Sequence, residues 1–361
     1  MSDFEIAADH LTFDQSVPDI HQPYAAAADR YTNLAYRRVG RSGLLLPPVS
    51  LGLWYNFGDN RPFQNQRDIL RRAFDLGINH FDLADNYGPP NGSAEENFGR
   101  VLRKDLAPYR SEIIVSTKAG WPHWAGPTGD FGSRGHLLSG LDESLRRLQT
   151  DYVDIFYSHR VDPVTPLEET IGALDTIVRQ GKARYVGLSS YSAERTRQAV
   201  AIARDLGTPL VIHQPSYNLL NRWVERDLLS TLDELGLGSI AFTVLAQGLL
   251  SDRFLRDSNA KHATPRPSFR AGVVSEENLA RLRGLEEIAR GRGQTLAQLA
   301  ISWVIRPGGV TSALLGVSSI EQLEENVAAL DAPAFTPGEL AAIDGFAGEG
   351  GVNIWSISSD L

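Results

Sequence analysis

The 361-residue sequence contains no cysteine. This absence excludes disulfide bonds and metal sites built on thiolates, and it fits a protein of a reducing compartment. No apolar run approaches the roughly 20 residues that cross a membrane as a helix. The first residues also lack the basic segment followed by an apolar one that a signal peptide requires. We therefore expect a cytoplasmic protein without a membrane partner.

Positive charge is scarce as well. The chain has 35 Lys and Arg against 44 Asp and Glu, which gives a formal net charge of −9. This balance argues against nucleic acid as a partner. Hydrophobic residues make up 42% of the chain, enough for a large core. Length alone suggests about two domains, although α/β barrels of this size also fold as one.

A further absence concerns dinucleotide binding, because no Gly-x-Gly-x-x-Gly follows the first apolar segment. This argues against an open Rossmann sheet. Short apolar segments instead alternate with amphipathic helical ones, which indicates a parallel sheet buried on both faces. Eight such units predict a closed (β/α)₈ TIM barrel. The predicted strands are 49–53, 78–83, 113–118, 152–158, 184–189, 209–214, 239–245 and 311–316.

Other features surround this predicted barrel. Residues 36–47 have the pattern of a β-hairpin that could plug the bottom of the barrel, and extra helical patterns follow the last strand. Residues 1–35 are polar and aperiodic, so we predict a mobile or subunit-contacting arm ahead of a single domain at 36–361. The predicted helix N-caps are Ser93, Thr165, Ser192, Ser318 and Thr336.

Residues with chemical potential lie at three predicted strand ends. Asp82 lies inside an apolar run and Tyr87 follows it, whereas Lys118 and His159 end two other runs. In a parallel barrel these ends converge on one face. A buried carboxylate needs a cation or donors, and a nearby ammonium lowers the pKa of a tyrosine. Each residue alone could be structural, but together they favour a general acid for carbonyl reduction.

The sequence resembles the aldo-keto reductases from residue 36 to the C-terminus. Within that family it looks most similar to the branch of L-glyceraldehyde 3-phosphate reductases. This branch also resembles the β subunits of voltage-gated potassium channels. The resemblance implies NADPH as cofactor and a catalytic tetrad of Asp82, Tyr87, Lys118 and His159. It lies in the segments Phe-Asp82-Leu-Ala-Asp-Asn-Tyr87-Gly, Ser-Thr-Lys118, Tyr-Ser-His159-Arg, Val-Gly-Leu-Ser189-Ser, His-Gln214-Pro-Ser-Tyr-Asn and Gly316-Val-Ser318-Ser-Ile-Glu-Gln322.

The resemblance also assigns cofactor contacts, from the nicotinamide through the pyrophosphate to the adenosine. These are Trp54, Asp82, Ser189, Gln214, Phe242, Leu245, Ala246, Gln247, Gly248, Arg253, Gly316, Ser318, Gln322, Glu325 and Asn326. Many family members carry an arginine at the position of Gln322 and a lysine beside Ser318, and both cations are missing here. We therefore expect a basic loop to supply the charge that the 2′-phosphate of NADPH needs. Its candidate residues are Arg253, Arg256, Lys261, Arg266 and Arg270.

The resemblance implies reduction of small aldehydes, with L-glyceraldehyde 3-phosphate and methylglyoxal as candidate substrates. Tyr55 and Trp121 are candidate substrate walls, and Arg160 is either an anion handle or part of a loop ion pair. No metal site is expected, and the branch resemblance implies a homo-oligomer. One alternative is a barrel aldolase that uses Lys118 as a Schiff base. The other is a non-catalytic regulatory subunit, although the channel branch has asparagine where this chain has His159.

Overall fold

A computed structural model of the chain describes residues 23–256 and 273–359. The first 22 residues of the predicted arm lie outside these ranges. Lys261, Arg266 and Arg270 of the predicted basic loop lie outside them too.

Eight parallel strands close into a barrel, which confirms the predicted fold class. Closure occurs where the last strand pairs with the first, in the register Leu314 opposite Ser50. Each strand is short and buried on both faces, as a barrel covered by helices requires. The barrel strands are β3 (Val49–Gly52), β4 (His80–Asp82), β5 (Ile114–Ala119), β6 (Val153–Ser158), β7 (Ala183–Ser189), β8 (Leu210–Gln214), β9 (Gly238–Ala241) and β10 (Ser312–Leu315).

The predicted hairpin precedes the barrel as β1 (Arg37–Arg38) and β2 (Leu45–Leu46), an antiparallel pair. Val39, Leu44 and Leu46 are buried in one cluster with Ile155 and Ile212 from the barrel strands. The apolar side chains of the hairpin therefore extend the interior core, as the prediction of a plug requires.

The helices form the outer layer, and their apolar faces bury a second and larger core against the strands. Two further helices follow the barrel, in agreement with the prediction of extra C-terminal helices. The α-helices are α1 (Phe63–Asp75), α2 (Ser93–Val101), α3 (Arg134–Leu148), α4 (Leu167–Arg179), α5 (Ala193–Leu206), α6 (Leu228–Leu235), α7 (Arg253–Arg256), α8 (Glu276–Gly291), α9 (Leu296–Val304), α10 (Ile320–Val327), α11 (Pro337–Asp344) and α12 (Ser356–Ser359). Among the described residues, no helix has the length and apolar character needed to cross a membrane.

Two predicted N-caps are correct. The Ser192 hydroxyl accepts from the backbone N–H of Arg195 at the start of α5. At α11, Thr336 and Glu339 form a reciprocal capping box. These caps satisfy backbone donors that the first helical turn leaves free.

Three predicted N-caps are wrong. Ser93 is already helical, because Gly92 takes the cap position in a left-handed conformation (φ 84°) and the Ser93 hydroxyl donates to the Pro90 carbonyl. Thr165 is displaced because the helix starts at Leu167 behind Pro166. The cap of α10 is Ser319, one residue beyond Ser318.

The seventh barrel strand is shorter than its apolar pattern predicted. The predicted segment was 239–245, but β9 ends at Ala241. The backbone then turns, with Thr243 at φ 55°, and the Phe242 N–H donates to the Pro215 carbonyl outside the ladder. The apolar run continues beyond the strand because these residues line a cavity.

The described part of the predicted arm, from residue 23 onward, packs against the barrel helices. Arg30 forms an ion pair with Glu112 at 2.6 Å and lies over the rings of Phe74 and Tyr109. Tyr24 donates a hydrogen bond of 2.7 Å to Asp75 at the end of α1. A planar guanidinium suits such a site because it stacks on rings and pairs with a carboxylate at once.

We expect Arg30→Ala to lower the free energy of unfolding by about 2 kcal/mol, through loss of partly buried charge-assisted hydrogen bonds and cation–π contacts. Urea denaturation would measure this. The control is Arg38→Ala, which removes an exposed arginine that donates only to the nearby Ser42 carbonyl. Equal stability of the two variants would show that the Arg30 cluster does not stabilise the fold.

Candidate active site

A cavity of about 410 Å³ opens at the carboxyl ends of the barrel strands. Its floor includes Gly52, Asp82, Ser189 and Gln214, the last residues of β3, β4, β7 and β8. The strands are parallel, so all their carboxyl ends lie on this face. The barrel thereby collects residues that are far apart in the sequence.

A buried ion pair joins Asp82 of this floor to Lys118, which does not line the cavity. Lys118 of β5 and Asp82 of β4 are 0% exposed, and Nζ lies 2.6 Å from Oδ2. The lysine also donates to the Leu83 carbonyl and to the Tyr87 hydroxyl. Burial opposes the charge on Lys118, but attraction to Asp82 and Tyr87 outweighs it, so its pKa is raised. Lys118 is therefore an ammonium ion at neutral pH.

Tyr87 lies between this ion pair and the cavity. Its hydroxyl oxygen accepts a hydrogen bond of 3.2 Å from Lys118 Nζ, which leaves its own proton available for donation towards the cavity. Burial raises the Tyr87 pKa, and this effect exceeds the lowering by Lys118 that we expected from the sequence. Tyr87 is thus a protonated phenol next to the Lys118 ammonium.

His159 completes the predicted tetrad and lines the cavity beside Tyr87. Its ring meets the Tyr87 ring edge-on, with centroids 5.9 Å apart. Burial, together with repulsion from Lys118 and Arg160, holds its pKa well below the ordinary value. The imidazole is therefore neutral, and its Nδ1 has no hydrogen-bond partner within the described residues. A neutral imidazole here can donate to, or accept from, a group in the cavity.

Most of the predicted cofactor residues line the same cavity as the tetrad. In addition to Asp82, these are Trp54, Ser189, Gln214, Phe242, Leu245, Gln247, Gly248, Gly316 and Gln322. The other predicted contacts lie nearby in the chain but outside the cavity wall, namely Ala246, Arg253, Ser318, Glu325 and Asn326.

Aromatic rings form one side of the cavity. Trp54 packs on Tyr55 with ring centroids 4.0 Å apart, and it also approaches Tyr87 and Trp355. Phe242 meets Trp355 edge-on at 4.9 Å. Such a wall suits a flat ring, because ring faces and edges attract each other.

The predicted substrate residues divide into two groups. Tyr55 and Trp121 line the cavity. Arg160 does not, because it pairs with Asp130, donates to the Gly120 carbonyl at 2.7 Å and lies 4.1 Å over the Trp121 ring. The geometry thus agrees with the loop ion pair, which was one of the two predicted roles for Arg160.

Sequence reasoning missed several residues of the site. Asn86 lines the cavity. It directly precedes Tyr87 in the sequence, and this position was the available signal. Ser190 and Thr243 line it with positive φ values of 57° and 55°, which no side-chain pattern reveals. Ser116 donates to Asp82 at 2.6 Å from within β5, where it resembles any other strand residue.

Comparison with known proteins agrees with this geometry. Residues 48–347 match the Aldo/keto reductase family. The chain belongs to the aldo/keto reductase family. It is 54% identical, over 349 residues, to the L-glyceraldehyde 3-phosphate reductase of Escherichia coli strain K12, covering 93% of this chain and 99% of that protein. The resemblance to aldo-keto reductases found in the sequence is thereby confirmed, and the protein is an oxidoreductase.

More distant relatives include probable voltage-gated potassium channel β subunits. The protein from Oryza sativa subsp. japonica is 38% identical over 313 residues, which cover 84% of this chain and 94% of that protein. The protein from Arabidopsis thaliana is 37% identical over 325 residues, which cover 86% and 96%.

Aldo/keto reductases generally use a nicotinamide cofactor, and the cavity fits such a group. It is long enough to include both Gln214 at the end of β8 and Gln322 on α10. Gly248 and Gly316 lie on its wall with no atom closer than 3.9 Å to where a Cβ would stand, so a ligand can approach the backbone there. The hydroxyl and amide groups around the floor supply uncharged donors.

We expect Asp82→Leu and Lys118→Met each to lower the free energy of unfolding by about 3 to 5 kcal/mol, because each leaves a buried charge without its partner. The double variant should cost much less than the sum of the two. Urea denaturation of all four proteins would measure the coupling. Strictly additive losses would show that the two charges do not stabilise each other.

Proposed function

We propose that this aldo/keto reductase reduces small aldehydes to alcohols with NADPH, and that Tyr87 is the general acid. The observation that carries the proposal is the position of the Tyr87 hydroxyl. It lies on the cavity side of a fully buried Asp82–Lys118 pair, 3.2 Å from the ammonium. This arrangement suits proton delivery to a carbonyl oxygen.

The bound cofactor would supply hydride to the carbonyl carbon. As negative charge develops on the carbonyl oxygen, the Tyr87 hydroxyl transfers its proton there and leaves a phenolate. Lys118 stabilises that phenolate through the hydrogen bond it already donates. Asp82 keeps Lys118 charged and in place. The neutral His159 imidazole, which lies beside Tyr87 in the cavity, orients the carbonyl oxygen.

The choice of NADPH over NADH depends on the far end of the cavity. Gln322 lines it, and its side-chain oxygen accepts from the Ser318 backbone N–H at 2.9 Å and from the Ser318 hydroxyl at 3.1 Å. These donors are therefore engaged within the protein. Within the described residues, the cavity lining contains no lysine or arginine. A strong preference for NADPH would thus need the basic loop that begins near Arg253.

The proposed substrates are L-glyceraldehyde 3-phosphate, which the name of the Escherichia coli relative supports, and methylglyoxal. Arg160 is engaged by Asp130 and Gly120 and does not line the cavity. We therefore propose that uncharged donors such as Asn86, or residues of the basic loop, contact a substrate phosphate. The size of the cavity favours short aldehydes.

A regulatory subunit is the second candidate function, because two relatives are probable channel β subunits. The position of His159 beside Tyr87 in the cavity favours the enzyme. The Schiff-base alternative is disfavoured, because such chemistry needs a neutral and accessible amine. Lys118 is 0% exposed and its pKa is raised.

Two further features remain predictions. We propose a homo-oligomer, which light scattering on the full chain would test, and a monomer would contradict it. We also propose a cytoplasmic location.

The decisive experiment is a screen of NADPH oxidation by the purified protein over short aldehydes, each with and without a phosphate group. Turnover of at least one aldehyde is expected. Absence of turnover with all of them, together with binding to a membrane-protein partner, would favour the regulatory subunit.

We expect Tyr87→Phe to lower the turnover number by roughly 10² to 10⁴, because the acid is lost while the ring and its packing remain. The dissociation constant of NADPH should change little, and quenching of tryptophan fluorescence would measure it. The control is Tyr55→Phe, which removes a hydroxyl from another residue of the cavity wall. Near-normal turnover by Tyr87→Phe would exclude Tyr87 as the acid.

We expect Gln322→Arg to tighten NADPH binding by roughly 10-fold, because one charge-assisted hydrogen bond to the 2′-phosphate is gained. NADH lacks this phosphate and is the matched control ligand. Fluorescence titration of both cofactors measures the difference. An equal gain for both would show that the residue does not face the 2′-phosphate.

A further inference from the structure

A chain of hydrogen bonds runs through the interior of the barrel and ends on Asp82. It begins at Ser312 of β10, whose hydroxyl lies 2.7 Å from that of Ser50 on β3. Ser50 lies 2.9 Å from Nδ1 of His80 on β4, and His80 Nε2 lies 3.0 Å from the Ser116 hydroxyl on β5. All of these side chains are fully buried. Four neighbouring strands therefore contribute to one continuous chain.

The donor direction in this chain follows from the carboxylate at its end. Ser116 must donate to Asp82 Oδ1, which is 2.6 Å away, because an ionised carboxylate only accepts. With its one proton used, Ser116 must accept from Nε2–H of His80. A neutral imidazole has a single N–H, so Nδ1 accepts from Ser50, and Ser50 in turn accepts from Ser312. Every donor in the chain therefore points towards Asp82.

The imidazole in the middle stays neutral in the working pH range. Burial lowers the pKa of His80 to about 4, although attraction to Asp82 raises it and repulsion from Lys118 lowers it further. Its tautomer is then set by its neighbours, with the proton on Nε2. Hydrogen bonds arranged in one direction polarise each other, which strengthens the last bond to the carboxylate.

Asp82 Oδ1 has a second donor, Gln214 Nε2 at 3.1 Å. Gln214 lines the cavity and is one of the proposed cofactor contacts, whereas Ser116 does not line the cavity. A ligand can therefore engage Gln214 without affecting Ser116. Of these two donors to Oδ1, Ser116 is the one that lies away from the cavity.

We infer that His80 is a positioning residue, which acts through Ser116 to hold Asp82 as a carboxylate and so to maintain the charge of Lys118 beside Tyr87. The inference rests on the proposed function. The rival explanation is that His80 and the serines merely satisfy one another inside the barrel. The charged and titratable groups that face Tyr87 are Lys118, Asp82, Asp85 and His159.

The two explanations predict different pH profiles. Without the Ser116 donor, the Asp82 carboxylate is less stable and takes a larger share of the Lys118 proton. Less positive charge then faces Tyr87, so the phenol becomes a weaker acid. Carbonyl reduction needs the protonated phenol, so the turnover number falls at high pH, where Tyr87 loses its proton. In the variant this fall, the basic limb of the pH profile, should occur at a higher pH. A purely structural defect would lower the turnover number without moving the basic limb.

The first experiment measures the turnover number against pH for aldehyde reduction. A hydrogen bond to a charged group is worth roughly a factor of 10 or more in equilibrium, so Ser116→Ala and His80→Leu should each lower turnover by about 10-fold and move the basic limb upward. His80→Gln keeps an amide N–H donor and should recover most of the activity.

The control is Thr231→Val, which removes a buried hydroxyl that donates to the Asp227 carbonyl. An unmoved limb in Ser116→Ala, or equal behaviour of His80→Leu and His80→Gln, overturns the inference.

The second experiment does not depend on activity. Nitrogen-15 NMR of histidine-labelled protein, with His80 assigned by its loss in His80→Gln, should show a neutral ring protonated on Nε2 from about pH 5 to pH 9. A proton on Nδ1, or titration of His80 within that pH range, would refute the inferred direction of the hydrogen-bond chain even if the enzyme is active. Absence of aldehyde reduction by the unmodified protein would instead refute the proposed function.

Discussion

The buried pair of Lys118 and Asp82 is the interaction on which the candidate site depends. Two charges removed from water are tolerated only when they pair with each other and their remaining donors and acceptors are hydrogen-bonded. The lysine satisfies this condition with Asp82, Leu83 and Tyr87, and the aspartate with Lys118, Ser116 and Gln214. Ser116, Gln214 and Tyr87 are therefore each bonded directly to this pair.

In the mechanism that we propose, this arrangement lets a phenol of high intrinsic pKa serve as an acid at neutral pH. Burial alone makes the Tyr87 phenolate costly, and the adjacent ammonium recovers part of that cost. In the proposed mechanism, the proton is retained until a carbonyl oxygen with developing negative charge competes for it. The same burial keeps His159 neutral, so it can act as a hydrogen-bond partner without adding a second positive charge.

The barrel was predictable because its signal is repeated along the chain. The convergence of Asp82, Tyr87, Lys118 and His159 was predictable because they lie at or soon after the carboxyl ends of three parallel strands. Other features depend on tertiary structure. The end of β9 at Ala241 is followed by an isolated bridge between Phe242 and Ser216 and by a turn at Thr243, and no local pattern contains either feature. The cap of α10 moved from Ser318 to Ser319 because Gln322 engages the first serine. His80 looked like one more residue of a buried strand, and its role emerges only from partners on β3 and β5.

Barrel closure has a consequence for how the protein acquires its site during synthesis. Ser50 and Ser312 are 262 positions apart in the chain, and their hydroxyls meet only when β10 joins β3. Contacts of such long sequence separation form late and slowly. A nascent chain that already contains Asp82, Tyr87, Lys118 and His159 would therefore still lack one wall of the cavity and the first donor of the interior chain. Competence should therefore arise only once β10 has been synthesised and has closed the barrel against β3.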